Sequence, residues 1–235
     1  MQVVILVGGL ATRLQSITEK IPKSMIRINE KPFLEYQIEL LKKSGLVDIL
    51  LCAGYLGSQI KDYFGDGKKF GVSLSYSEEK QELVGTGGAL KKAENLLADE
   101  FFVMYGDSYL LLDYQEIAGY FHNFHKRGLM VVYKNYSRFD KSNVIIKDGI
   151  VKIYDKEDSS PEMVYIDEGI SILKKEILGD FPSEKAFALD EVFQRLIRAK
   201  ELLAFQTKQR FYEIGSGQGL HDFKKLILKK GAIAG

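Results

Sequence analysis

The sequence predicts an α/β fold, with a Rossmann-like mixed sheet that is mainly parallel and flanked by helices. In the first half of the chain, short apolar runs alternate with longer amphipathic segments, which is typical of a parallel sheet covered by helices. After about residue 134 the pattern changes, because Asn143 to Ile153 reads as a hairpin turning at Asp148 and Gly149. A small lobe inserted over the sheet completes the predicted architecture.

The same patterns predict the individual elements. The clearest helix runs from Pro32 through Lys43, because proline suits a first helical turn and a glycine follows the last turn. A second helix, from about Asp113 to Arg127, carries Ile117, Phe121 and Phe124 on one face. The other predicted strands are Val3 to Val7, Ile49 to Ala53, Val72 to Tyr76, Phe101 to Tyr105, Leu129 to Tyr133, Met163 to Leu173, Leu202 to Gln206 and Phe211 to Ile214. The other predicted helices are Gly85 to Leu97, Leu189 to Lys200 and Gly219 to Lys230.

Composition excludes several classes of protein. The 235 residues suit a single domain, and 33 Lys and Arg nearly balance 32 Asp and Glu, so no global charge indicates a nucleic-acid or membrane partner. No apolar stretch reaches the roughly 18 to 20 residues that span a bilayer, and the N-terminus lacks the basic start of a signal peptide. We therefore expect a cytoplasmic protein. Cys52 is the only cysteine, which excludes an intrachain disulfide, and its apolar run predicts a buried thiol.

A glycine loop follows the first strand. Gly8 and Gly9 would let the main chain approach a phosphate, while Arg13 and Lys23 add positive charge. The ends of parallel strands are also where such folds bind ligands. A tight turn with two solvated cations is the alternative explanation. The spacing matches neither the dinucleotide-binding nor the P-loop motif.

The loop resembles the hallmark of the sugar-1-phosphate nucleotidyltransferase family, Gly-Gly-x-Gly-Thr-Arg-Leu/Met followed by Pro-Lys. The matching residues are Gly8, Gly9, Thr12, Arg13, Leu14, Pro22 and Lys23. Ala11 stands where glycine is usual, a mild change if its φ is negative. The resemblance implies the nucleotide-diphospho-sugar transferase fold, with residues 1–134 as the nucleotide-binding half and 135–235 as the sugar-binding lobe and closing elements. Gly8, Gly9 and Thr12 would bind nucleotide, and Arg13 and Lys23 would be catalytic.

Two further motifs match the nucleotide and metal sites of the family. Gly85, Thr86 and Gly88 open a helix whose N-terminal N–H groups could meet a ligand, and the resemblance makes them nucleotide contacts. Asp107 follows the fourth strand and corresponds to a catalytic Mg²⁺ ligand. Glu213 stands where the family has a second aspartate, so it is the assisting ligand. Without the resemblance, a capped helix would explain the glycine segment equally well, and a helix cap or turn would be the favoured explanation of an isolated Asp107.

The second half of the chain resembles the sugar side of the family. Lys156 corresponds to a lysine that contacts the sugar phosphate, although a solvated lysine is an equal alternative. Asp167, Glu168 and Gly169 correspond to a region that binds sugar hydroxyls, with Asp replacing Asn and Glu replacing Ala. Carboxylates accept hydrogen bonds from hydroxyls, so sugar binding is retained while the identity of the sugar is left open.

The resemblance implies transfer of a nucleoside monophosphate from an NTP to a sugar 1-phosphate, with release of pyrophosphate. The similarity is greatest to the branch that guanylylates D-glycero-α-D-manno-heptose 1-phosphate or mannose 1-phosphate, so GTP and a manno-configured sugar are expected. A glycosyltransferase is an alternative, but Gly106, Asp107 and Ser108 supply one aspartate where an Asp-x-Asp pair would be expected. An inactive binding relative is the other alternative, and retention of Arg13, Lys23 and Asp107 argues against it. The oligomeric state is left open, a homodimer included.

Overall fold

The computed structural model describes residues 1–9, 20–54, 56–78, 84–158, 160–183 and 185–233, with the backbone alone described at 230–233. The strands are β1 Gln2–Leu6, β2 Arg27–Ile28, β3 Lys31–Pro32, β4 Asp48–Ala53, β5 Ser73–Glu78, β6 Glu100–Tyr105, β7 Ser108–Tyr109, β8 Gly128–Lys134, β9 Val144–Lys147, β10 Ile150–Tyr154, β11 Tyr165–Lys174, β12 Leu202–Thr207 and β13 Tyr212–Glu213. The α-helices are α1 Phe33–Lys43, α2 Gly57–Phe64, α3 Gly85–Lys92, α4 Tyr114–His122, α5 Leu189–Arg198 and α6 Gly217–Ile233. Within this part of the chain, no helix is both long enough and apolar enough to cross a bilayer.

Nine strands form one mixed sheet, in the order β5-β4-β1-β6-β11-β8-β12-β10-β9. The first four lie parallel, β11 is antiparallel to both of its main neighbours, and β12 is parallel to β8. The predicted hairpin is confirmed as β9 and β10, and Asp148 and Gly149 both have positive φ at its turn. Because β10 also pairs with β12, the lobe predicted after residue 134 is continuous with the main sheet.

Apolar layers cover both faces of this sheet. In β1, Val3 and Ile5 belong to one buried cluster, whereas Val4 and Leu6 belong to the other. Side chains alternate along a strand, so a strand covered on both faces needs an unbroken apolar run. This is the physical reason that apolar runs in the first half predicted the parallel strands correctly.

Several predicted boundaries change in the structure. Helix α1 begins at Phe33, because Pro32 is extended and pairs with Arg27 in a small two-stranded sheet. Helix α4 ends at His122, five residues before the predicted end at Arg127. Phe124 therefore lies beyond the helix with 44% of its surface exposed, and its predicted place on the apolar face is wrong. The predicted helix from Gly85 to Leu97 ends at Lys92 and is followed by a short 3-10 turn.

Candidate active site

A cavity of about 250 Å³ opens at the carboxyl ends of β1 and β6. These two strands are parallel neighbours, and Gly106 donates its N–H to the carbonyl of Leu6 at 2.9 Å, so the segments that follow them stay together. Of the residues that the structure describes, the cavity is lined by Leu6, Val7, Gly8, Gly9, Lys23, Ser24, Cys52, Gly85, Thr86, Ala89, Tyr105, Gly106 and Asp107. Cys52 is buried as predicted, with 2% of its surface exposed. Thr12 and Arg13 lie outside the described residues.

Lys23 and Asp107 form an ion pair at the mouth of the cavity. Their Nζ and Oδ2 atoms lie 2.5 Å apart, and the side chains are 20% and 31% exposed. Lys23 begins a short 3-10 turn after Pro22, and Asp107 follows β6, so both are carried by short segments at the same edge. A partly exposed pair of this kind can exchange its partner for a charged ligand at small cost.

Glu213 is brought beside Asp107 by a second small sheet. Strand β13 pairs with β7 so that Glu213 lies opposite Ser108, and Ile214 donates its N–H to the Asp107 carbonyl at 3.0 Å. The Glu213 carboxylate accepts hydrogen bonds from the N–H groups of Gly215 and Ser216 and from the Ser216 hydroxyl. It therefore lies at the N-terminus of α6, where the helix dipole favours a negative charge.

The three charged groups converge on one point. A Cβ atom added to Gly215 would lie 2.7 Å from Glu213 Oε2, 2.8 Å from Lys23 Nζ and 3.4 Å from Asp107 Oδ2. Two carboxylate oxygens and an ammonium thus face the same small volume, which a larger residue than glycine would fill. Within the described part of the chain, no group of three or more His, Cys, Asp and Glu side chains could hold a metal alone. Asp107 and Glu213 are the pair that could hold a hard cation together with ligand oxygens.

Helix α3 uses its glycines differently from the sequence prediction. The N–H groups of Gly87 and Gly88 donate to the Phe187 carbonyl at 3.0 and 3.1 Å, so they are already satisfied within the protein. A Cβ on Gly87 would lie 2.4 Å from the Phe187 ring, so close packing requires glycine there. Gly85 and Thr86 line the cavity, but the structure does not bring Gly88 to it. Of the predicted residues of this helix, Gly85 and Thr86 therefore lie where a ligand could contact them, together with Ala89.

Lys156, the predicted sugar-phosphate contact, lies in a second cluster of polar and aromatic side chains. Its Nζ donates to Asp190 Oδ1 at 2.9 Å and lies 5.6 Å from the centre of the Tyr105 ring and 5.4 Å from that of Tyr154. An ammonium at this distance from two aromatic rings is attracted to their π-electron faces. The side chain is 42% exposed, so a ligand can reach the ammonium while it keeps its contacts with Asp190 and the two rings.

Asp167 belongs to the same cluster. Its Oδ2 accepts a hydrogen bond from the Tyr154 hydroxyl at 3.1 Å, and its Oδ1 accepts one from the N–H of Gly169 at 2.9 Å. Burial raises the pKa of Asp167, while the nearby Lys156 ammonium opposes that shift. Burial and the surrounding carboxylates raise the pKa of Tyr154 far above its ordinary value, so its hydroxyl keeps its proton.

Glu168 points away from this cluster. It follows Asp167 in a strand whose side chains alternate between faces. Besides Asp167, the groups that interact electrostatically with Glu168 include the Tyr114 side chain and the backbone of Phe211. The residue is 2% exposed, and within the described part of the chain neither carboxylate oxygen has a hydrogen-bond partner of good geometry, although the Phe211 N–H is near enough to oppose the rise of its pKa. Burial, followed by the charge of Asp167, raises the pKa of Glu168 to about 9. The structure therefore gives no support to the predicted contact between Glu168 and a sugar.

Gly169 has a backbone role in the same strand. Its φ is +79°, and the register of β11 against β8 shifts between Asp167 and Ser171. A Cβ there would lie 3.0 Å from both Ser108 Oγ and the Tyr105 ring. Glycine thus allows a bulge that packs β11 against the segment carrying Asp107.

Sequence reasoning missed three members of the site: Tyr154, Phe187 and Asp190. Tyr154 is the last residue of β10 and Lys156 lies beyond the strand, so strand alternation could not have placed the two on one face. Asp190 lies in the first turn of α5, where an acidic residue is ordinary helix chemistry and gives no separate signal. Phe187 acts through its carbonyl, which no side-chain pattern predicts.

Comparisons with known proteins identify the family of the chain. The family described as nucleotidyl transferase matches residues 2–230. The chain is 33% identical over 226 residues to D-glycero-alpha-D-manno-heptose 1-phosphate guanylyltransferase of Campylobacter jejuni, covering 95% of this chain and 98% of that one. It is 29% identical to mannose-1-phosphate guanyltransferase of Saccharomyces cerevisiae, covering 92% of this chain and 61% of the relative. The crystal structure of HddC from Yersinia pseudotuberculosis complexed with GMP-PN is similar with a TM-score of 0.79 and 31% identity, covering 96% of this chain and 99% of that one. The predicted fold class is confirmed.

Proposed function

The chain belongs to the nucleotidyl transferase family, and we propose that it transfers the guanylyl group of GTP to a manno-configured heptose or hexose 1-phosphate. The observation that carries the proposal is the convergence of Lys23, Asp107 and Glu213 on one point beside the cavity. A site that joins two polyanions needs groups that align phosphates and neutralise their charge, and this cluster supplies both.

In the proposed reaction, a phosphate oxygen of the sugar 1-phosphate attacks the α-phosphorus of GTP. The new bond joins that oxygen to the α-phosphorus, while the bond from the α-phosphorus to the bridging oxygen breaks and pyrophosphate leaves with the electron pair. Because the attacking phosphate is already ionised at neutral pH, the site needs no general base. This fits a cluster made of cations, carboxylates and glycine backbone.

Each described residue of the cluster has a proposed role. Lys23 exchanges its partner Asp107 for the phosphates and bridges the two substrates, which its partial exposure permits. Asp107 and Glu213 would hold Mg²⁺, because two carboxylates with further oxygens from phosphate and water match the ligands that this ion prefers. Bound Mg²⁺ would supply charge neutralisation at the phosphates. Arg13, by resemblance, would stabilise the departing pyrophosphate.

The proposed binding sites of the two substrates are based on the positions of the predicted residues in the structure. Gly8, Gly9, Gly85 and Thr86 line the cavity and would contact the nucleotide. Lys156 would bind the sugar phosphate, and Asp167 would accept hydrogen bonds from sugar hydroxyls. Guanine is supported by the two guanyltransferase relatives and by the structural neighbour complexed with GMP-PN, and the manno configuration by the names of the two relatives.

The test is a matrix of GTP, ATP, CTP, UTP and dTTP against mannose 1-phosphate and D-glycero-α-D-manno-heptose 1-phosphate, read as pyrophosphate release. Correct pairing at a buried base edge separates bases strongly, because the wrong base leaves polar groups of the site unpaired. We expect kcat/KM to be highest for GTP. A ratio below one for GTP against any pyrimidine nucleotide would overturn the choice of base and leave nucleotidyl transfer intact.

A further inference from the structure

We infer that Asp190 is a positioning residue that holds the Lys156 ammonium in place for the phosphate of the sugar substrate. The inference deepens the proposed function and rests on it. Asp190 Oδ1 accepts the hydrogen bond from Lys156 Nζ at 2.9 Å, and this is the ion pair that Lys156 forms in the described part of the chain. Asp190 thus acts on the substrate through the lysine.

The backbone next to Asp190 is hydrogen-bonded to the helix that would contact the nucleotide. The residue before it, Leu189, donates its N–H to the Thr86 hydroxyl at 2.8 Å, and Phe187 accepts the N–H groups of Gly87 and Gly88. Thr86 itself lines the cavity. The first turn of α5 is therefore hydrogen-bonded to α3, the helix that lines the cavity. The carboxylate of Asp190 projects from this anchored turn.

The lysine needs such a partner. Its side chain is long and flexible, and a free lysine would lose rotamer freedom on meeting a phosphate. Here the Tyr105 and Tyr154 rings flank the ammonium while Asp190 takes one of its three hydrogens. The ammonium is thereby oriented before the substrate arrives, with hydrogens left for the phosphate.

Asp190 also belongs to the hydrogen-bond network of Asp167. The Tyr154 hydroxyl lies 3.1 Å from Asp167 Oδ2 and 3.4 Å from Asp190 Oδ1. Two readings follow for the role of Asp190. It acts through Lys156, as inferred here, or it acts on the sugar side independently of Lys156. A double-mutant cycle separates them.

The experiment measures the Kd of mannose 1-phosphate by calorimetry, with Mg²⁺ and a GTP analogue that cannot be cleaved between its α- and β-phosphates. The proteins are the wild type, Asp190→Asn, Lys156→Met and the double variant. Asp180→Asn is the matched control, because Asp180 pairs with Arg195 at 2.7 Å and is 34% exposed against 35% for Asp190. We expect Asp190→Asn to raise the Kd about tenfold, the scale of one charge-assisted hydrogen bond, and the control to leave it unchanged.

The double variant decides the mechanism. If Asp190 acts through Lys156, the double variant binds mannose 1-phosphate as weakly as Lys156→Met alone, to within about threefold. A further tenfold loss in the double variant would overturn the inference, as would an unchanged Kd in Asp190→Asn. Should Asp190→Asn fail to fold, Asp190→Glu, which shifts the carboxylate by one methylene, is expected to raise the Kd about threefold, and an unchanged value contradicts the inference.

Activity measurements distinguish this inference from the proposed function. In pyrophosphate release, Asp190→Asn should raise the KM for the sugar 1-phosphate about tenfold and leave the KM for GTP within about threefold. An equal rise in both KM values overturns the inference. A wild type that releases no pyrophosphate with any nucleotide contradicts the proposed function, whereas the calorimetric comparison still tests Asp190.

Discussion

Two lysines at the carboxyl edge of the sheet each pair with one aspartate, yet their surroundings differ. Lys23 faces Asp107 and Glu213 across the backbone of Gly215. Lys156 is paired with Asp190 and flanked by the rings of Tyr105 and Tyr154. The first lysine thus faces two carboxylates, whereas the second contacts one carboxylate and two aromatic rings.

This difference predicts that the two clusters have different functions. The Lys23 cluster holds both carboxylates that could bind a cation, so it is suited to stabilising charge as bonds change. The Lys156 cluster is preorganised by aromatic packing and hydrogen bonds, so it is suited to binding. Changes in the first cluster should lower kcat, and changes in the second should raise the KM for the sugar substrate.

The largest effect is expected at Asp107. Asp107→Asn removes one of two carboxylates and leaves Lys23 without its partner, so turnover should fall at least about a thousandfold. Pyrophosphate release across a range of Mg²⁺ concentrations is the measurement. Turnover restored by high Mg²⁺ would mean that Asp107 tunes affinity for the ion and is dispensable for turnover.

Lys23→Ala should lower kcat at least about a hundredfold, because a charge-stabilising group is lost. The melting temperature should barely move, since a partly exposed ion pair contributes about 0 to 1 kcal/mol. Lys61→Ala is the control, because Lys61 also pairs with a carboxylate, Glu78, at 2.7 Å on the surface. Near-normal turnover in Lys23→Ala would remove the lysine from the proposed mechanism.

Replacing Glu213 by Asp should preserve kcat, whereas replacing it by Ala should lower kcat. Asp at this position can accept the same N–H groups two and three residues ahead, as aspartates do in turns, so Glu213→Asp should stay within about threefold of wild-type kcat. Glu213→Ala removes the carboxylate from the site and should lower kcat about tenfold or more. If Glu213→Asp were inactive while Asp107→Asn remained active, the roles of the two carboxylates would be reversed.

Glu168 is a buried carboxylate that belongs to neither the Lys23 cluster nor the Lys156 cluster, so its effect should be on stability. Its pKa rises from an ordinary 4.5 to about 9 on folding, so between these pH values the folded state binds a proton that the unfolded state has released. The free energy of unfolding should therefore fall as pH rises through this window, by at most about 1.4 kcal/mol per pH unit.

Glu168→Gln removes that titration. Urea unfolding at pH 5, 6, 7 and 8 should give a flatter stability profile for the variant than for the wild type, with the variant relatively more stable at pH 8. Parallel profiles would show that Glu168 titrates normally in the folded protein.

The sequence predicted the features of the fold that depend on local patterns. The strand at Val3 to Val7 followed from its apolar run, and the hairpin at Asp148 and Gly149 from its turn residues. The position of Asp107 at a strand end followed from the same pattern. By contrast, β7 is two residues long, too short for any periodicity, so its pairing with the predicted strand around Glu213 did not follow from local patterns, and only the family resemblance placed Glu213 with Asp107.

The sugar side shows where reasoning from motifs went too far. Asp167 and Glu168 were both expected to meet the sugar; the structure places Asp167 in the cluster with Lys156 and buries Glu168, and contact of either residue with a sugar stays a prediction. Asp190 could not be found at all, because its partner Lys156 is 34 residues away and the contact exists only in the folded sheet. The hydrogen bond from the Gly88 N–H to the carbonyl of Phe187 could not be predicted for a similar reason, and the role of Gly88 toward a nucleotide stays a prediction.

The central claim is tested most directly by ³¹P NMR of a single reaction containing the protein, Mg²⁺, GTP and mannose 1-phosphate or the manno-heptose 1-phosphate. The account predicts that the sugar phosphate and GTP signals disappear together, replaced by equal amounts of pyrophosphate and of a diphosphate diester joining guanosine to the sugar, and that Asp107→Asn forms neither. Release of inorganic phosphate without the diester, or no change in the GTP signals with either sugar, would contradict it.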